Sequence, residues 1–377
     1  MDSFPSYILG FIFTAALIWF LQPVARSLGL VDHPGGRKRH KGSVPLIGGI
    51  AMYVGLVVAI LAAGKPPLES ILGLLAGGGL VLIVGTIDDW VDLSPFSRFL
   101  TQITAAMLMV ALGEVYLHDL GYLMGESLFT LNAWAVPLTI FATVGVINAI
   151  NMSDGVDGLA GGLTLISLVC LGIVAGLAGH QLFYLFAELI VVVLAFLIFN
   201  LRTPWRKKAK VFMGNGGSMF LGFVMAWSLI NMSQGEHAVF SPVTALWLFA
   251  VPLMDTVCIM LRRVLKRRSP FSPDRQHFHH ALLRVGYTVN QSVWIMLGLS
   301  AVLAGFGLIG HYGGVPESIM FFSFVVLFTV YFVAMNRVWR SLTTMGNRKR
   351  LQQPRRRIRQ GGGANSASYK AAKRSKE

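Results

Sequence analysis

An all-α, polytopic membrane protein of about eleven transmembrane helices is the architecture this sequence predicts, with the N-terminus outside and the C-terminus cytoplasmic. Three observations predict it. Of 377 residues, 54% are hydrophobic and only 13% charged, a balance foreign to soluble globular domains. About eleven stretches reach the roughly 20 apolar residues that a helix needs to cross the hydrocarbon core. The basic residues fall almost wholly in alternate loops: one set carries 31 of the 32 Lys and Arg, the other only Lys65. Positively charged loops stay in the cytosol, so the basic set faces inward.

The stretches lie near 6–24, 46–63, 68–87, 98–117, 133–151, 159–178, 182–200, 217–232, 242–260, 292–310 and 316–335, that at 217–232 being the shortest. The first has no basic region ahead of it and no small-residue cleavage site, and reads as a retained helix rather than a signal peptide. Cys170 and Cys258 lie inside apolar runs, as small hydrophobes without disulfide or zinc spacing. Residues 1–335 form the expected membrane domain, and 336–377 a basic cytoplasmic tail of disordered composition that attracts anionic headgroups. The net charge of +15 therefore points to membrane lipids and not to nucleic acid. No internal repeat is visible.

The inner loops carry the chemistry. In the loop 25–45, Arg37, Lys38, Arg39, His40 and Lys41 cluster among glycines ahead of Pro45-Leu46-Ile47-Gly48-Gly49. Positive-inside anchoring accounts for part of that charge, and a grip on ligand phosphates is its specific reading. The third span ends in Asp88, Asp89 and Asp92. Adjacent carboxylates repel, and holding both ionised takes a cation or strong solvation. Mg²⁺ binds through one or two carboxylates plus substrate phosphates, and such a pair can also act as a base and its orienting partner.

The segment Asn148–Gly162, NAINMSDGVDGLAGG, sets Asn148, Asn151, Asp154 and Asp157 between two apolar spans. Acids at a membrane boundary are costly unless paired, metal-bound or solvated, which marks the loop as functional beyond ordinary turn chemistry. Val211–Ser218, VFMGNGGS, surrounds Asn215 with glycines that allow close backbone approach to a ligand ahead of a helix N-terminus. Asp255, in PLMDT, reads as structural, paired to a neighbouring helix. The largest inner loop holds Asp274 and Arg275 upstream of His277, His279 and His280. No Cys or HExxH spacing supports zinc there, whereas clustered histidines and arginines suit diphosphate binding and charge stabilisation at a transferring phosphoryl group.

On these residues the chain resembles the polyprenyl-phosphate N-acetylhexosamine-1-phosphate transferases, a membrane superfamily. Four motifs stand in the family's order: the pair Asp88–Asp89, NxxNxxDGxDGL at Asn148–Leu159, the FMGxxGS element at Phe212–Ser218, and HxHH at His277–His280. The resemblance implies transfer of a sugar-1-phosphate from a UDP-N-acetylhexosamine to undecaprenyl phosphate with release of UMP, dependent on Mg²⁺ or Mn²⁺, at the bacterial inner membrane. The forms DRQHFHH and VPLIGG look more like the N-acetylglucosaminyl branch than the MurNAc-pentapeptide branch. It further implies Asp88 as the base, with Asp89, Asn151 and Asn215 toward the metal. Asn148, Asp154, Asp157, Arg275, His40 and Lys41 fall to the substrates, and His277, His279 and His280 to the diphosphate or sugar. Where the family usually has FMGDxGS, this chain has Asn215, which offers an oxygen ligand without charge. A homo-oligomer is left open. The rival class, a transporter, would place ionisable residues or broken helices near the bilayer midplane, often in repeated halves; here the acids gather at one surface.

Overall fold

A computed structural model describes residues 4–32, 42–64, 68–269 and 276–352, apart from the side chains of 68–70 and 345–352. Thirteen α-helices are present among them: α1 (Phe4–Ser27), α2 (Gly48–Ala63), α3 (Leu68–Val91), α4 (Pro95–Gly113), α5 (Ala135–Ser153), α6 (Leu159–Leu177), α7 (Phe183–Asn200), α8 (Gly214–Ser233), α9 (Pro242–Leu248), α10 (Ala250–Leu265), α11 (Phe278–Val285), α12 (Val289–Tyr312) and α13 (Glu317–Gln352). Two short strands, β1 (Val31–Asp32) and β2 (Val44–Pro45), pair antiparallel. The chain divides after Phe332 into two units, and the site lies in the first.

Each of the eleven predicted stretches contains a helix. Eight described helices, α1, α3 to α7, α12 and α13, are long and apolar enough to cross a membrane, or nine spans if the bent pair α9–α10 is one. This is a polytopic membrane protein. At 16 residues α2 is short, and α8, though 20 residues long, is diluted by Gly, Ser and Asn.

The shortest predicted stretch forms the centre of the bundle. Every residue of α8 is buried except Asn215 and Asn231, as expected of a helix that faces other helices on all sides and needs no lipid-facing hydrophobicity. Its neighbours come close through small residues. A Cβ on Gly49 would lie 2.3 Å from the Cα of Gly217, and one on Gly85 2.5 Å from that of Gly216, so α2 and α3 meet α8 backbone to backbone.

Two expectations are corrected. The stretch 242–260 is not one helix: α9 and α10 meet at 87° around Phe249. Pro252 cannot donate the N–H that would carry α9 onward, and it is tolerated in the first turn of α10. The Ser167 hydroxyl donates to the Leu248 carbonyl (2.7 Å), satisfying a group freed by the break. The last helix runs to Gln352, well past the predicted end at 335, because the charged residues after Asn336 are mostly compatible with a helix that has left the apolar layer.

Candidate active site

The site grows from the N-terminus of α8. Its approach is held by a backbone ladder in which Phe212 N–H donates to Pro45 O (2.9 Å), Gly48 N–H to Phe212 O (3.0 Å) and Gly49 N–H to Met213 O (3.2 Å). VPLIGG and VFMG, far apart in sequence, are thus stitched side by side. Gly214 then turns into the helix at φ +74°, a left-handed backbone that favours glycine, and a Cβ there would meet Asp89 Oδ2 at 2.3 Å.

Asp89 occupies that space and caps α8: Asn215 N–H donates to its Oδ1 (2.9 Å) and Gly216 N–H to its Oδ2 (3.3 Å). A carboxylate suits a helix N-terminus, where unpaired N–H groups and the dipole favour negative charge. Asp88 is buried beside it. Its Oδ1 accepts the backbone N–H of Leu93 (2.8 Å), and its Oδ2 accepts Arg98 (3.1 Å) and the Asn215 side-chain amide (2.8 Å). Arg98 reaches Asp88 because α4 begins sharply at Pro95, with Ser94 accepting the N–H of Ser97 (3.1 Å) as N-cap.

From the end of α5, Asn151 donates to the Ser218 hydroxyl (2.8 Å) and, at longer range, to Asn215 Oδ1 (3.4 Å). Asn148, one turn earlier, donates to Gln102 Oε1 (2.8 Å) and so ties α5 to α4. Asp88, Asp89, Asn151 and Asn215 therefore form one bonded group, and Asn148 braces the helix that brings Asn151 to it.

The loop after α5 carries the remaining acids. Asp157 accepts Arg202 (2.7 Å) and the N–H of Ala209 (3.3 Å), which anchors the 201–213 connection. Asp154 is half-buried, and its carboxyl is held well above the usual carboxylate range, first by burial and then by the charges of Asp89 and Asp157. Three carboxylates within electrostatic reach of one another make a place where a cation is favoured.

The histidine cluster closes on this loop. His279 is 1% exposed and packs against Gly155, where a Cβ would lie 2.7 Å from its Nε2. Neither of its ring nitrogens has a hydrogen-bond partner among the described residues. Burial, then the neighbouring His280 and His277, push its pKa down to about 3 against the pull of Asp255, so the ring is neutral. The rings of His277 and His279 are parallel to within 8° at 5.4 Å, and those of His279 and His280 lie 4.1 Å apart. The predicted residues His40, Lys41 and Arg275 lie outside the described residues.

Among the described residues, no three His, Cys, Asp or Glu side chains converge closely enough to hold a metal ion by themselves. The donor set nonetheless fits a hard cation of the Mg²⁺ type, which takes one or two carboxylates and completes its shell with substrate oxygens and water. Sequence reading passed over Arg98 and Gln102 and met Ser218 only as the end of a motif; all three acquire meaning through partners on other helices.

The chain is similar to known proteins along most of its length. Residues 71–233 match the family model described as glycosyl transferase family 4. The chain is 39% identical over 333 residues to the undecaprenyl-phosphate alpha-N-acetylglucosaminyl 1-phosphate transferase of Escherichia coli K12, covering 88% of this chain and 90% of that protein. It is 38% identical over 332 residues to that of Yersinia pestis, with the same coverage. The protein of that name from Haemophilus influenzae is 40% identical over 321 residues, 85% of this chain and 90% of its own. With identity of this level over nearly the whole length, the chain belongs to glycosyl transferase family 4.

Proposed function

We propose that this enzyme transfers N-acetylglucosamine-1-phosphate from UDP-GlcNAc to undecaprenyl phosphate, releasing UMP, as the first membrane step of a cell-surface glycan pathway. The observation that supports it best is the bonded group Asp88–Asp89–Asn151–Asn215 beside the Asp154 loop, in a chain similar along its length to transferases of that name. Two anions must meet here, and the residues at hand suit that task.

In this reading, eleven spans put the N-terminus outside and the site at the cytoplasmic face of the bacterial inner membrane. The tail from 336 attracts membrane lipids. Asp88 takes the proton of the lipid phosphate at Oδ2, exchanging its present donors, Arg98 and Asn215, for the substrate. The freed phosphate oxygen attacks the β-phosphorus of the nucleotide sugar. A new P–O bond forms as the bond to UMP breaks, and UMP leaves with the electron pair. Mg²⁺ or Mn²⁺, held through oxygens of Asp89, Asn151 and Asn215 together with the diphosphate, would neutralise charge developing on the leaving phosphate. Asp154 helps hold the nucleotide, Asp157 keeps the 201–213 connection in place, and the histidines meet the diphosphate or sugar. Positioning and electrostatics supply most of the catalysis in such transfers.

The test is UMP release by purified protein given undecaprenyl phosphate and a panel of UDP-sugars, with Mg²⁺ present and then chelated. UDP-GlcNAc is expected to be turned over fastest and chelation to stop it. A different preferred sugar reassigns the substrate, and no UMP from any of them sinks the reading.

A further inference from the structure

Asp255 stands in the second turn of α10 and is 3% exposed. A carboxylate so buried is costly unless donors saturate it. Its Oδ1 accepts the backbone N–H of Phe278 (3.0 Å) and the phenol O–H of Tyr331 (2.9 Å), and its Oδ2 faces His277 Nδ1 at 2.9 Å. Three elements meet on one carboxylate: α10, the start of α11 with its histidines, and α13.

An ionised carboxylate can only accept, so the His277 nitrogen that faces it carries a proton whatever the ring's charge. That fixes the ring as Nδ1–H and leaves Nε2 to meet a ligand. The ring at 277 stacks parallel on His279, which lies against Gly155 of the acidic loop. Its orientation is thereby passed to the rest of the cluster. The Tyr331 ring also lies edge-on to Phe278 at 6.1 Å and packs against the apolar cluster that includes Val251 and Met254 of α10.

We propose that Tyr331 is a positioning residue for the histidine cluster, donating to Asp255 so that this carboxylate holds the Nδ1–H of His277 and turns Nε2, the acceptor of that tautomer, toward a hydroxyl or amide N–H of the nucleotide sugar. This rests on the reading that the histidines contact the nucleotide sugar. Without the phenol O–H, a carboxylate buried away from water has two donors left and can turn between His277 and the Phe278 N–H. Tyr331→Phe removes the hydroxyl and keeps the ring and its packing.

With the full chain in lipid nanodiscs, Tyr331→Phe is expected to raise KM for UDP-GlcNAc about five- to tenfold, the scale of one buried hydrogen bond, with KM for undecaprenyl phosphate unchanged. In a His277→Gln background the same substitution should change kcat/KM by less than about twofold, since the interaction it supports is gone. Equal losses in both backgrounds overturn the proposal. A second readout needs no turnover. Solid-state ¹⁵N spectra of histidine ring nitrogens should contain an Nδ1–H signal that vanishes in His277→Gln and shifts or broadens in both Tyr331→Phe and Asp255→Asn. A signal unmoved by Tyr331→Phe, or by Asp255→Asn if the first variant does not fold, overturns the positioning role. A parent protein that releases no UMP counts against the proposed reaction, while the spectra still judge the contact.

Discussion

Asn215 is joined to Asp88 side chain to side chain, its amide N–H donating to Oδ2 over 2.8 Å while its backbone N–H donates to Asp89. A neutral donor thus stands where a third acid would otherwise face the pair. Asn215→Asp would set a carboxylate at hydrogen-bond distance from Asp88, tolerable only with a proton or a cation between them. Metal-free Asn215→Asp should unfold at a lower temperature than the parent, gain more from added Mg²⁺, and reach half-maximal rate at a lower Mg²⁺ concentration. Asn215→Ala should need more Mg²⁺ or be inactive. Superimposable Mg²⁺ titrations of the three proteins would remove Asn215 from the metal site.

Gly155 is exposed, yet a methyl group on it would sit 2.7 Å from His279 Nε2. Gly155→Ala should displace the ring and cost at least about tenfold in turnover, roughly 1.4 kcal/mol in the barrier, with little change in unfolding temperature. Gly145→Ala, in α5 just ahead of the motif, is the control, because nothing lies within 4 Å of a Cβ there. Equal activity of the two variants would separate His279 from the reaction.

The adjacent acids should fail in different ways. Asp88→Asn and Asp89→Asn are each expected to lower turnover by at least about tenfold. Asp89 also places its charge on the N-terminus of α8, so Asp89→Asn should cost stability as well, about 0.3–1 kcal/mol. Asp88→Asn leaves Arg98 without its counter-charge and sets an amide among three donors, so it should cost stability through the lost ion pair as well as rate. Near-normal turnover in Asp88→Asn removes it as the base, which steady-state kinetics beside thermal unfolding would reveal.

Much of this was legible in the sequence for one physical reason: apolar length and charge are read by the bilayer itself. The starts of α6 and α7 fall within one residue of the expected positions, because turn residues bound the apolar runs on both sides. The acids of the site announced themselves by their cost at a membrane boundary. What stayed hidden depends on partners. The central place of α8 follows from glycine contacts with α2 and α3, which no single helix displays. The break at Phe249 turns on a proline, Pro252, that an apolar window averages away. Arg98 looked like one more inner-face cation, and Tyr331 like one more aromatic in an apolar run, until Asp88 and Asp255 stood opposite them.

Sidedness has its own test. Glu126 and Gly235, in their loops, and Glu317, at the start of α13, line one cavity and so lie at one end of the bundle. In intact cells, cysteines placed at Glu126 and Glu236 should react with an impermeant thiol reagent, and those at Asn215 and His277 should not. Labelling at 277 from outside overturns the orientation.

The neutral state of His279 makes a prediction about acid. Its pKa in the folded protein is about 3, lowered from 6.5 by burial and then by His280 and His277. Between those values the unfolded chain binds a proton that the folded ring refuses. The ring's contribution to stability therefore falls as pH drops below 6.5, by up to about 1.4 kcal/mol per pH unit. Asp154 works the other way, since its raised pKa lets the folded protein keep a proton that the unfolded chain has released. The parent's net slope mixes the two, and a comparison isolates the histidine. Between pH 7 and 4.5 in detergent, the unfolding temperature of the parent should fall further than that of His279→Gln, which has no imidazole to titrate. Parallel curves would mean that the ring protonates freely in the fold, and the cluster would then meet the diphosphate as a ready-made cation instead of gaining charge only when the anion arrives.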